Sequence, residues 1–337
     1  MSTYYKILPN DLNCKGFQYQ EGLNIDTKKI TSYKCDNGLH FADAENILAF
    51  CGYGSMIAEV ELPEDAIVYH FGNKSKADRI ILKNLRPLWS VETMEDLIQE
   101  GVEFESYVNR ILYEATRHGC LDIVKYLVEQ GADIHDDDAL YMASENGYLD
   151  VVKYLVEQGA DIHADDDDYP LRVASANGHL DVVKYLLEQG ADIHAQDDEA
   201  LRWASFNGHL DVVKYLVEQG ANIHARDDYA LCFASNNGHL DVVKYLIEQG
   251  ADIHSDDDDP LRWSSENGHL EVVKYLVEQG ANIHADDDYA LYLASYYGYL
   301  DIVKYLVERG ADIHADNDSA INFAKTQEIK AYLNSLL

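Results

Sequence analysis

The hydrophobic pattern divides the chain into a short-period N-terminal part and a long array of helical segments. Residues 56–62 (MIAEVEL) alternate between apolar and polar positions. Alternation with a period of two predicts a half-buried β-strand. Short apolar runs predict further strands at residues 4–8, 66–69 and 80–82, and helical spacing predicts one helix over residues 42–50. Residues 1–89 are therefore expected to form a small α+β domain.

From residue 90 onward a different pattern recurs with a period of mostly 30 residues. In the copy at residues 208–225, Val213, Leu216 and Val217 lie at positions i, i+3 and i+4, which predicts an amphipathic helix over residues 210–219. Gly220 follows this helix, and glycine is the residue best suited to end a helix in a left-handed conformation. A first, shorter helix is predicted over residues 200–206. Other copies begin at the following glycines: Gly119, Gly147, Gly178, Gly238, Gly268 and Gly298.

Both ends of the array depart from the repeated pattern. Residues 90–104 predict a degenerate helix with Ser90 as its N-cap. Residues 319–337 predict a shortened last helix pair. Terminal units of a stacked array must face water, so atypical ends are expected. Residues 90–337 are thus predicted to form about seven full repeats between degenerate caps.

The repeated segments resemble the ankyrin repeat. The resemblance rests first on four segments of one repeat: Gly208-His209-Leu210, Val212-Val213, Leu216-Val217 and Gly220-Ala221-Asn222-Ile223. It also rests on Pro170-Leu171 and Pro260-Leu261, which are similar to part of the family's Thr-Pro-Leu-His start. It implies an α-solenoid preceded by the small α+β domain. The usual ankyrin period is about 33 residues, and the residues missing here fall between Ala225 and Leu231. We therefore expect the family's β-hairpin finger to be shortened to an acidic turn.

The N-terminal region resembles the segments that precede ankyrin arrays in proteins of giant DNA viruses. The order Gly38-Leu39-His40-Phe41, a helix, then a strand ending at Pro63 is also similar to ADP-ribosyltransferase-like domains. Two family motifs are absent, since Leu39-His40-Phe41 stands where a Ser-x-Ser strand is expected and Lys76-Ala77-Asp78-Arg79 where a Glu-x-Glu is expected. The other interpretation is a tight turn at Asn37-Gly38 followed by a structural His40. We expect no active enzyme here.

Charge and composition narrow the classes of function. The formal net charge is −35, and residues 90–337 carry 50 acidic and 16 basic side chains, whereas residues 1–89 carry 11 and 10. An array this acidic is not expected to bind nucleic acid, because phosphate binding needs a basic face. No apolar run is long enough to span a membrane, and the start lacks the pattern of a signal peptide. The five cysteines form no C-x-x-C pair, which suits a reducing compartment. We expect an intracellular protein, in the host cytoplasm if the chain is viral.

No metal or cofactor is expected. Cys14, Cys35, His40 and Cys51 are residue types that bind zinc, but their spacings match no zinc pattern. The aspartate runs lack the alternating oxygens and central glycine of a calcium loop. We interpret these runs as solvated turn tips, with a ridge that recruits a basic partner as the alternative. The runs are Asp136–Asp138, Asp165–Asp168, Asp256–Asp259 and Asp286–Asp288.

The histidines fall into two columns. One column follows the turn glycine and comprises His179, His209, His239 and His269. The other column stands at the start of the acidic turns, where each imidazole is expected to bond to the neighbouring turn backbone. It comprises His135, His163, His194, His224, His254, His284 and His314. Acidic neighbours favour an imidazolium, so this column predicts that mild acidification stabilises the array.

Candidate contact residues lie at the ends of the first helices, where the sequence varies while the rest of each repeat is nearly constant. In ankyrin proteins the corresponding positions line the concave face and contact partners. These residues are Glu145, Asn146, Ala176, Asn177, Phe206, Asn207, Asn236, Asn237, Glu266, Asn267, Tyr296 and Tyr297. Phe206, Tyr296 and Tyr297 are the best anchors, since aromatic side chains dominate interface energetics. An apolar column is instead expected to form inter-repeat core: Met142, Val173, Trp203, Phe233, Trp263 and Leu293.

The resemblance and the charge together predict a scaffold or adaptor for protein–protein interaction. It would bind another protein, one with a basic surface, through the concave face and the acidic turn tips. Two alternatives stay open. In one, the N-terminal domain is an ADP-ribosyltransferase-like enzyme and the array recruits its substrate. In the other, the chain is a structural component of a virion.

Overall fold

The computed structural model describes residues 3–28, 37–135, 138–163 and 167–337. The chain forms two compact units. The first comprises Met1–Ala143 and Asp150–Ala160, and the second comprises Ser144–Leu149 and Asp161–Leu337.

The first unit begins with a seven-stranded antiparallel sheet in the order β4-β9-β6-β1-β5-β8-β7, and β2 and β3 form a separate hairpin. The strands are β1 (Tyr4–Leu8), β2 (Asn13–Cys14), β3 (Phe17–Gln18), β4 (Gly22–Ile25), β5 (Leu39–Asp43), β6 (Met56–Glu61), β7 (Val68–Phe71), β8 (Lys74–Ala77) and β9 (Arg79–Pro87). Leu8, Leu39, Phe41 and Ala58 belong to the buried apolar cluster of this sheet.

The strands predicted near residues 4–8, 56–62, 66–69 and 80–82 are confirmed, with shifts of a few residues at their ends. The helix predicted over residues 42–50 is wrong. Ala42 is part of β5 and pairs with Tyr5 across the sheet, and only Ile47–Tyr53 is helical, as a 3₁₀ segment. Backbone pairing within the sheet has overridden the local apolar spacing, as tertiary context commonly does.

Helices follow the sheet within the first unit. They are α1 (Val91–Gln99), α2 (Val108–Arg117) and α3 (Leu121–Glu129), and then α4 (Asp138–Glu145) and α5 (Leu149–Glu157) continue the chain. Ser90 caps α1 as predicted, since its hydroxyl accepts a hydrogen bond from the Thr93 backbone nitrogen at 3.2 Å. Tyr5 donates to the Glu100 carboxylate at 2.9 Å, so the sheet is joined to α1. The proposed boundary between residues 89 and 90 lies inside this compact unit and stays a prediction.

The second unit consists of stacked helix pairs. Its helices are α6 (Tyr169–Ala176), α7 (Leu180–Glu188), α8 (Ala195–Phe206), α9 (Leu210–Glu218), α10 (Tyr229–Asn236), α11 (Leu240–Glu248), α12 (Ser255–Glu266), α13 (Leu270–Glu278), α14 (Ala285–Tyr297), α15 (Leu300–Glu308), α16 (Ala315–Asn322) and α17 (Gln327–Asn334). The even-numbered helices α6 to α16 pack on one another in one row, and the odd-numbered helices α7 to α17 pack in a second row. Of the predicted apolar stripe of α9, Val213 and Leu216 are fully buried and Val217 is partly buried, while Val212, outside that stripe, is also fully buried.

Three successive residues in the left-handed conformation precede the regular helical part of α8, α10, α12, α14 and α16; in all of these except α10 they lie within the bounds given above, after a short first turn. In one repeat these are Arg226, Asp227 and Asp228, with φ of 52°, 54° and 59°. The same geometry recurs at residues 196–198, 256–258, 286–288 and 316–318. A left-handed residue costs about 1–2 kcal/mol for most side chains, and aspartate and asparagine tolerate it best. This turn replaces the hairpin finger, which confirms the predicted shortening and gives a physical reason for its acidic composition.

Candidate functional site: the first-helix face

The candidate site is the first-helix face, defined as the solvent-reaching side of α6, α8, α10, α12 and α14 with the turns that precede them. Three rings follow one another along it, one from each of three successive repeats. The Trp203 and Phe233 ring centroids lie 6.3 Å apart, and those of Phe233 and Trp263 lie 6.2 Å apart. We call these three residues the aromatic ladder. The Trp203 and Phe233 ring planes are tilted by 34°, and those of Phe233 and Trp263 by 25°.

Two further rings pack edge-on against the ladder. Phe206 meets Trp203 at 5.3 Å and Phe233 at 5.6 Å between centroids. Tyr229 meets Phe233 at 5.4 Å and Trp263 at 5.9 Å. Edge-to-face contacts of this kind add stability beyond the area they bury. The ladder is therefore a surface whose rings are held in place by their neighbours.

The ladder corrects one expectation from the sequence. The column that contains it was expected to form inter-repeat core, and Met142 and Leu293 are indeed buried. Trp203, however, is 38% exposed, and Phe233 and Trp263 are only partly buried. Ala204 and Ser205, the two residues after Trp203, are themselves fully buried. The larger rings of this column therefore reach solvent.

A second group of rings, the tyrosine cluster, lies near the end of the array. It comprises Tyr289, Tyr292, Tyr296, Tyr297 and Phe323, and neighbouring members have centroids 5.1–6.2 Å apart. Tyr296 is 45% exposed and Phe323 is 59% exposed. A hydrogen bond to the Glu266 carboxylate raises the pKa of Tyr297. The sequence prediction missed Phe323 because it lies outside the regular repeat, just after α16.

The predicted contact residues divide into two kinds. The asparagines close helix ends: Asn207 donates to the Ala176 carbonyl at 2.8 Å, and Asn267 donates to Asn236 at 2.8 Å. Asn177 and Asn237 each donate to a carbonyl of their own helix. Phe206 packs on the ladder and Tyr296 and Tyr297 belong to the tyrosine cluster, whereas Glu145 and Glu266 are half-buried and Asn146 is exposed. Partner contact by any of these residues stays a prediction.

The histidines after the turn glycines join successive repeats. His239 Nε2 donates to the Phe206 carbonyl at 2.9 Å, and its ring lies against Gly208, where a Cβ atom would stand 2.4 Å from the ring nitrogen Nδ1. Burial lowers the pKa of His239, and the neighbouring His269 and His209 lower it further. His179, His209 and His269 make the equivalent bonds at 2.9–3.0 Å. This column is therefore structural, as predicted.

The acidic turns correct two further expectations. In the turns up to residue 288 the last left-handed residue is not a solvated tip, since Asp198 is only 4% exposed, whereas the Asp318 side chain of the last turn is 48% exposed. Its carboxylate lies 3.0 Å from His194 Nδ1 and accepts from the Asn222 backbone nitrogen at 2.7 Å. The histidine thus bonds to a carboxylate and not to turn backbone. Asp168, Asp228, Asp258 and Asp288 are buried in the same way, each beside a histidine and a backbone nitrogen of the next repeat.

A signal for this arrangement was present in the sequence. Aspartate recurs every 30 residues from Asp168 to Asp318, whereas the first residue of the same turn changes to glutamine at 196 and arginine at 226. A constant position beside variable ones indicates a structural requirement. Residues 136, 137 and 164–166 of the acidic runs lie outside the described residues.

The first two residues of these turns are exposed. Asp227, Asp257 and Asp287 stand at the middle position, and within the described ranges their side chains make no hydrogen bond or ion pair. Other turn residues are paired, because Arg226 contacts Asp197 at 3.0 Å and Arg262 contacts Asp286 at 3.2 Å. The carboxylates of Asp227, Asp257 and Asp287 therefore border the first-helix face with no paired cation in the described ranges.

The described part of the chain holds no group of three histidine, cysteine or acidic side chains arranged for a metal ion. Cys14, His40 and Cys51 are among those residues, and Cys35 lies outside them. Burial lowers the pKa of His40 to about 4, with nearby lysines adding to the shift, and burial raises the pKa of Cys51. Among the helices that the structure describes, none is long and apolar enough to cross a membrane.

Comparisons with known families agree with this geometry. The family described as "Ankyrin repeats (3 copies)" matches residues 140–227, 201–287 and 231–317, and "Ankyrin repeats (many copies)" matches residues 112–156. The N-terminal residues 2–94 match a "Domain of unknown function (DUF7666)".

Similar proteins occur in Acanthamoeba polyphaga mimivirus, a giant DNA virus. An ankyrin repeat protein, R896, is 37% identical over 142 residues, which is 40% of this chain and 43% of R896. Another, R868, is 31% identical over 37% of this chain and 66% of R868. The chain thus spans less than half of R896. Protein R869 is 31% identical over 38% of this chain and 99% of R869.

Among solved structures, the human ASB11 ankyrin repeat domain aligns with a TM-score of 0.54 at 24% identity. The alignment covers 58% of this chain and 96% of that domain. This likeness concerns the fold alone.

Proposed function

Because this chain belongs to the ankyrin-repeat family, we propose that it is a protein–protein interaction scaffold that binds a partner protein through its first-helix face. Ankyrin repeats generally serve in protein–protein interaction. The observation that carries the proposal is the solvent-reaching aromatic surface of that face, formed by the aromatic ladder and the tyrosine cluster. Aromatic side chains that become buried in a complex supply much of its binding energy.

Electrostatics support a partner with a basic surface. Asp227, Asp257 and Asp287 border the face with exposed carboxylates, and the array around them carries a large negative charge. Complementary charge speeds association and disfavours partners of the wrong sign. Nucleic acid would be repelled by the same charge. In this proposal the chain acts without catalysis, in the cytoplasm of a host cell, by holding one protein where another process needs it.

The test compares capture of host-cell proteins by two matched triple variants of the full chain. Phe206→Ala/Tyr296→Ala/Tyr297→Ala removes three rings from the first-helix face. Tyr215→Ala/Tyr245→Ala/Tyr275→Ala removes three rings from the second helices, where they contact lysines of the preceding repeat. We expect the first variant to lose the partners of the unaltered chain and the second to keep them. Retention of the same partners by the first variant would contradict the proposal.

A further inference from the structure

The spacing of the aromatic ladder matches an extended polypeptide. Successive rings lie 6.3 and 6.2 Å apart. A β-strand rises 3.2–3.4 Å per residue, and its side chains point alternately to opposite sides. Side chains i, i+2 and i+4 of an extended segment therefore stand about 6.4–6.8 Å apart on one side. Such a segment laid along the ladder brings one side chain to each ring.

The face already shows which side chain suits its rings. The Arg262 guanidinium lies over the Tyr289 ring at 5.9 Å, and Arg262 Nη1 pairs with Asp286 Oδ2 at 3.2 Å. Arg172 lies over Tyr169 at 5.0 Å, and its guanidinium also pairs with Glu199. In both places a planar cation rests on a ring beside a carboxylate, an arrangement that guanidinium favours over ammonium.

The ladder offers the same two elements, and no cation of the described residues lies over its three rings. Its rings reach solvent, and Tyr229, the residue after the buried Asp228, contacts both Phe233 and Trp263. The acidic turn is thereby joined to the ladder. The exposed Asp227 and Asp257 each stand in the turn that leads into a ladder helix, α10 and α12.

We propose that the aromatic ladder binds an extended, arginine-bearing segment of the partner, with arginines at positions i, i+2 and i+4 over Trp203, Phe233 and Trp263. This inference rests on the proposed function and names the chemistry of its partner. Each guanidinium stacks on one ring, and the exposed aspartates of the adjoining turns supply the countercharge. A segment with arginine at every third residue cannot meet the rings in this way, since its side chains alternate between the two sides.

The experiment titrates the full chain with two capped heptapeptides of equal composition, SRSRSRS and RSSRSSR. Both carry three arginines, so non-specific attraction to the acidic array is the same. In an extended conformation the first peptide places three arginines along the ladder and the second places one. Two additional cation–π contacts at roughly 0.5–1 kcal/mol each lead us to expect SRSRSRS to bind about fivefold to thirtyfold tighter. Equal affinities would overturn the proposal.

Two further measurements complete the test. Trp203→Leu/Trp263→Leu keeps apolar side chains and should abolish the preference for SRSRSRS. Circular dichroism checks its fold, and the single variant Trp203→Leu, at the exposed end of the ladder, should reduce the preference if the double variant unfolds. A preference that survives in a folded variant would also overturn the proposal. Replacing arginine by lysine (SKSKSKS) should weaken binding, and equal binding would overturn the assignment to arginine.

The wild-type chain provides a direct optical readout, since two of its three tryptophans belong to the ladder. Binding of SRSRSRS should change their emission, and binding without any change would contradict contact with the ladder. Failure of this inference is distinguishable from failure of the proposed function. If the peptides are not discriminated while Phe206→Ala/Tyr296→Ala/Tyr297→Ala still loses the captured partner, only the arginine segment is wrong. If capture is also unchanged, both proposals fail.

Discussion

The Asp198 carboxylate accepts a hydrogen bond from the Asn222 backbone nitrogen at 2.7 Å, and this bond ties one repeat to the next. The same carboxylate lies 3.0 Å from His194 Nδ1 in its own turn. Equivalent bonds join Asp168 to Asp192, Asp228 to Asp252, Asp258 to Asn282 and Asp288 to Asp312. With the finger shortened, these buried carboxylates hold the turns of successive repeats in register.

Asp228→Ala is expected to destabilise the array more than Asp227→Ala does. The first change removes the acceptor of both His224 Nδ1 and the Asp252 backbone nitrogen. The His224 side chain is 54% exposed, so the cost is that of the lost hydrogen bonds to a carboxylate, roughly 1.5–3 kcal/mol. Both aspartates have left-handed backbones, with φ of 59° and 54°, so the backbone effect of alanine is matched. Urea unfolding of the two variants measures the difference, and equal midpoints would show that the buried carboxylate is not required.

Asp227→Gly should stabilise the array by up to about 1 kcal/mol. Glycine adopts the left-handed conformation without the steric penalty that other residues incur, and the exposed Asp227 side chain has no bond to lose. Asp228→Gly is the control, because it relieves the same backbone penalty but removes the two hydrogen bonds. The midpoint temperature of thermal unfolding should be higher for Asp227→Gly than for the wild type, and lower for Asp228→Gly. A lower midpoint for Asp227→Gly would refute the strain argument.

Gly208→Ala should destabilise the array more than Gly220→Ala. Both glycines are left-handed, with φ of 78° and 100°, and replacing such a residue by alanine costs about 1 kcal/mol or more. Only at Gly208 does the added methyl group also meet the His239 ring. At Gly220 the same methyl group would enter open space. Denaturant unfolding compares the two, and equal losses would mean that the contact between Gly208 and His239 does not constrain the array.

Protonation of His239 is expected to lower the stability of the folded array in mild acid. Its folded pKa is lowered below the ordinary 6.5 by burial, so the folded state favours the neutral ring. The stability that this residue contributes is present above pH 6.5 and declines as the pH falls below that value. His239→Gln should therefore lose less thermal stability than the wild type between pH 7.5 and pH 5.5. An unchanged pH dependence in the variant would contradict this assignment.

The histidines of the acidic turns carry a separate prediction. In six of them the ring nitrogen Nδ1 lies 2.6–3.1 Å from an aspartate carboxylate: His163, His194, His224, His254, His284 and His314. Stabilisation on mild acidification therefore stays a prediction for this column. His194→Gln/His224→Gln should reduce any gain between pH 8 and pH 6, measured by thermal unfolding. A variant that gains as much stability as the wild type would exclude this column as the cause.

Much of the array could be predicted from the sequence, because one pattern repeated many times reports its own constraints. The helix pairs, the left-handed Gly220 and the Ser90 cap all follow from local rules. The buried state of Asp198 did not follow, because one of its partners, the Asn222 backbone nitrogen, lies in the next repeat. Likewise, the exposure of Trp203 depends on tertiary packing, which spacing alone does not reveal. In the sheet domain, pairing between Ala42 and Tyr5 overrode a local helical pattern.

The most direct test of the central claim is covalent footprinting of the full chain with and without its captured partner. Oxidative labelling of aromatic side chains reports their access to solvent. The account predicts that the partner protects Trp203, Trp263 and Tyr296 on the first-helix face and leaves the second-helix residues Tyr215 and Tyr245 labelled as before. Protection of Tyr215 and Tyr245, with unchanged labelling of the first-helix face, would contradict it.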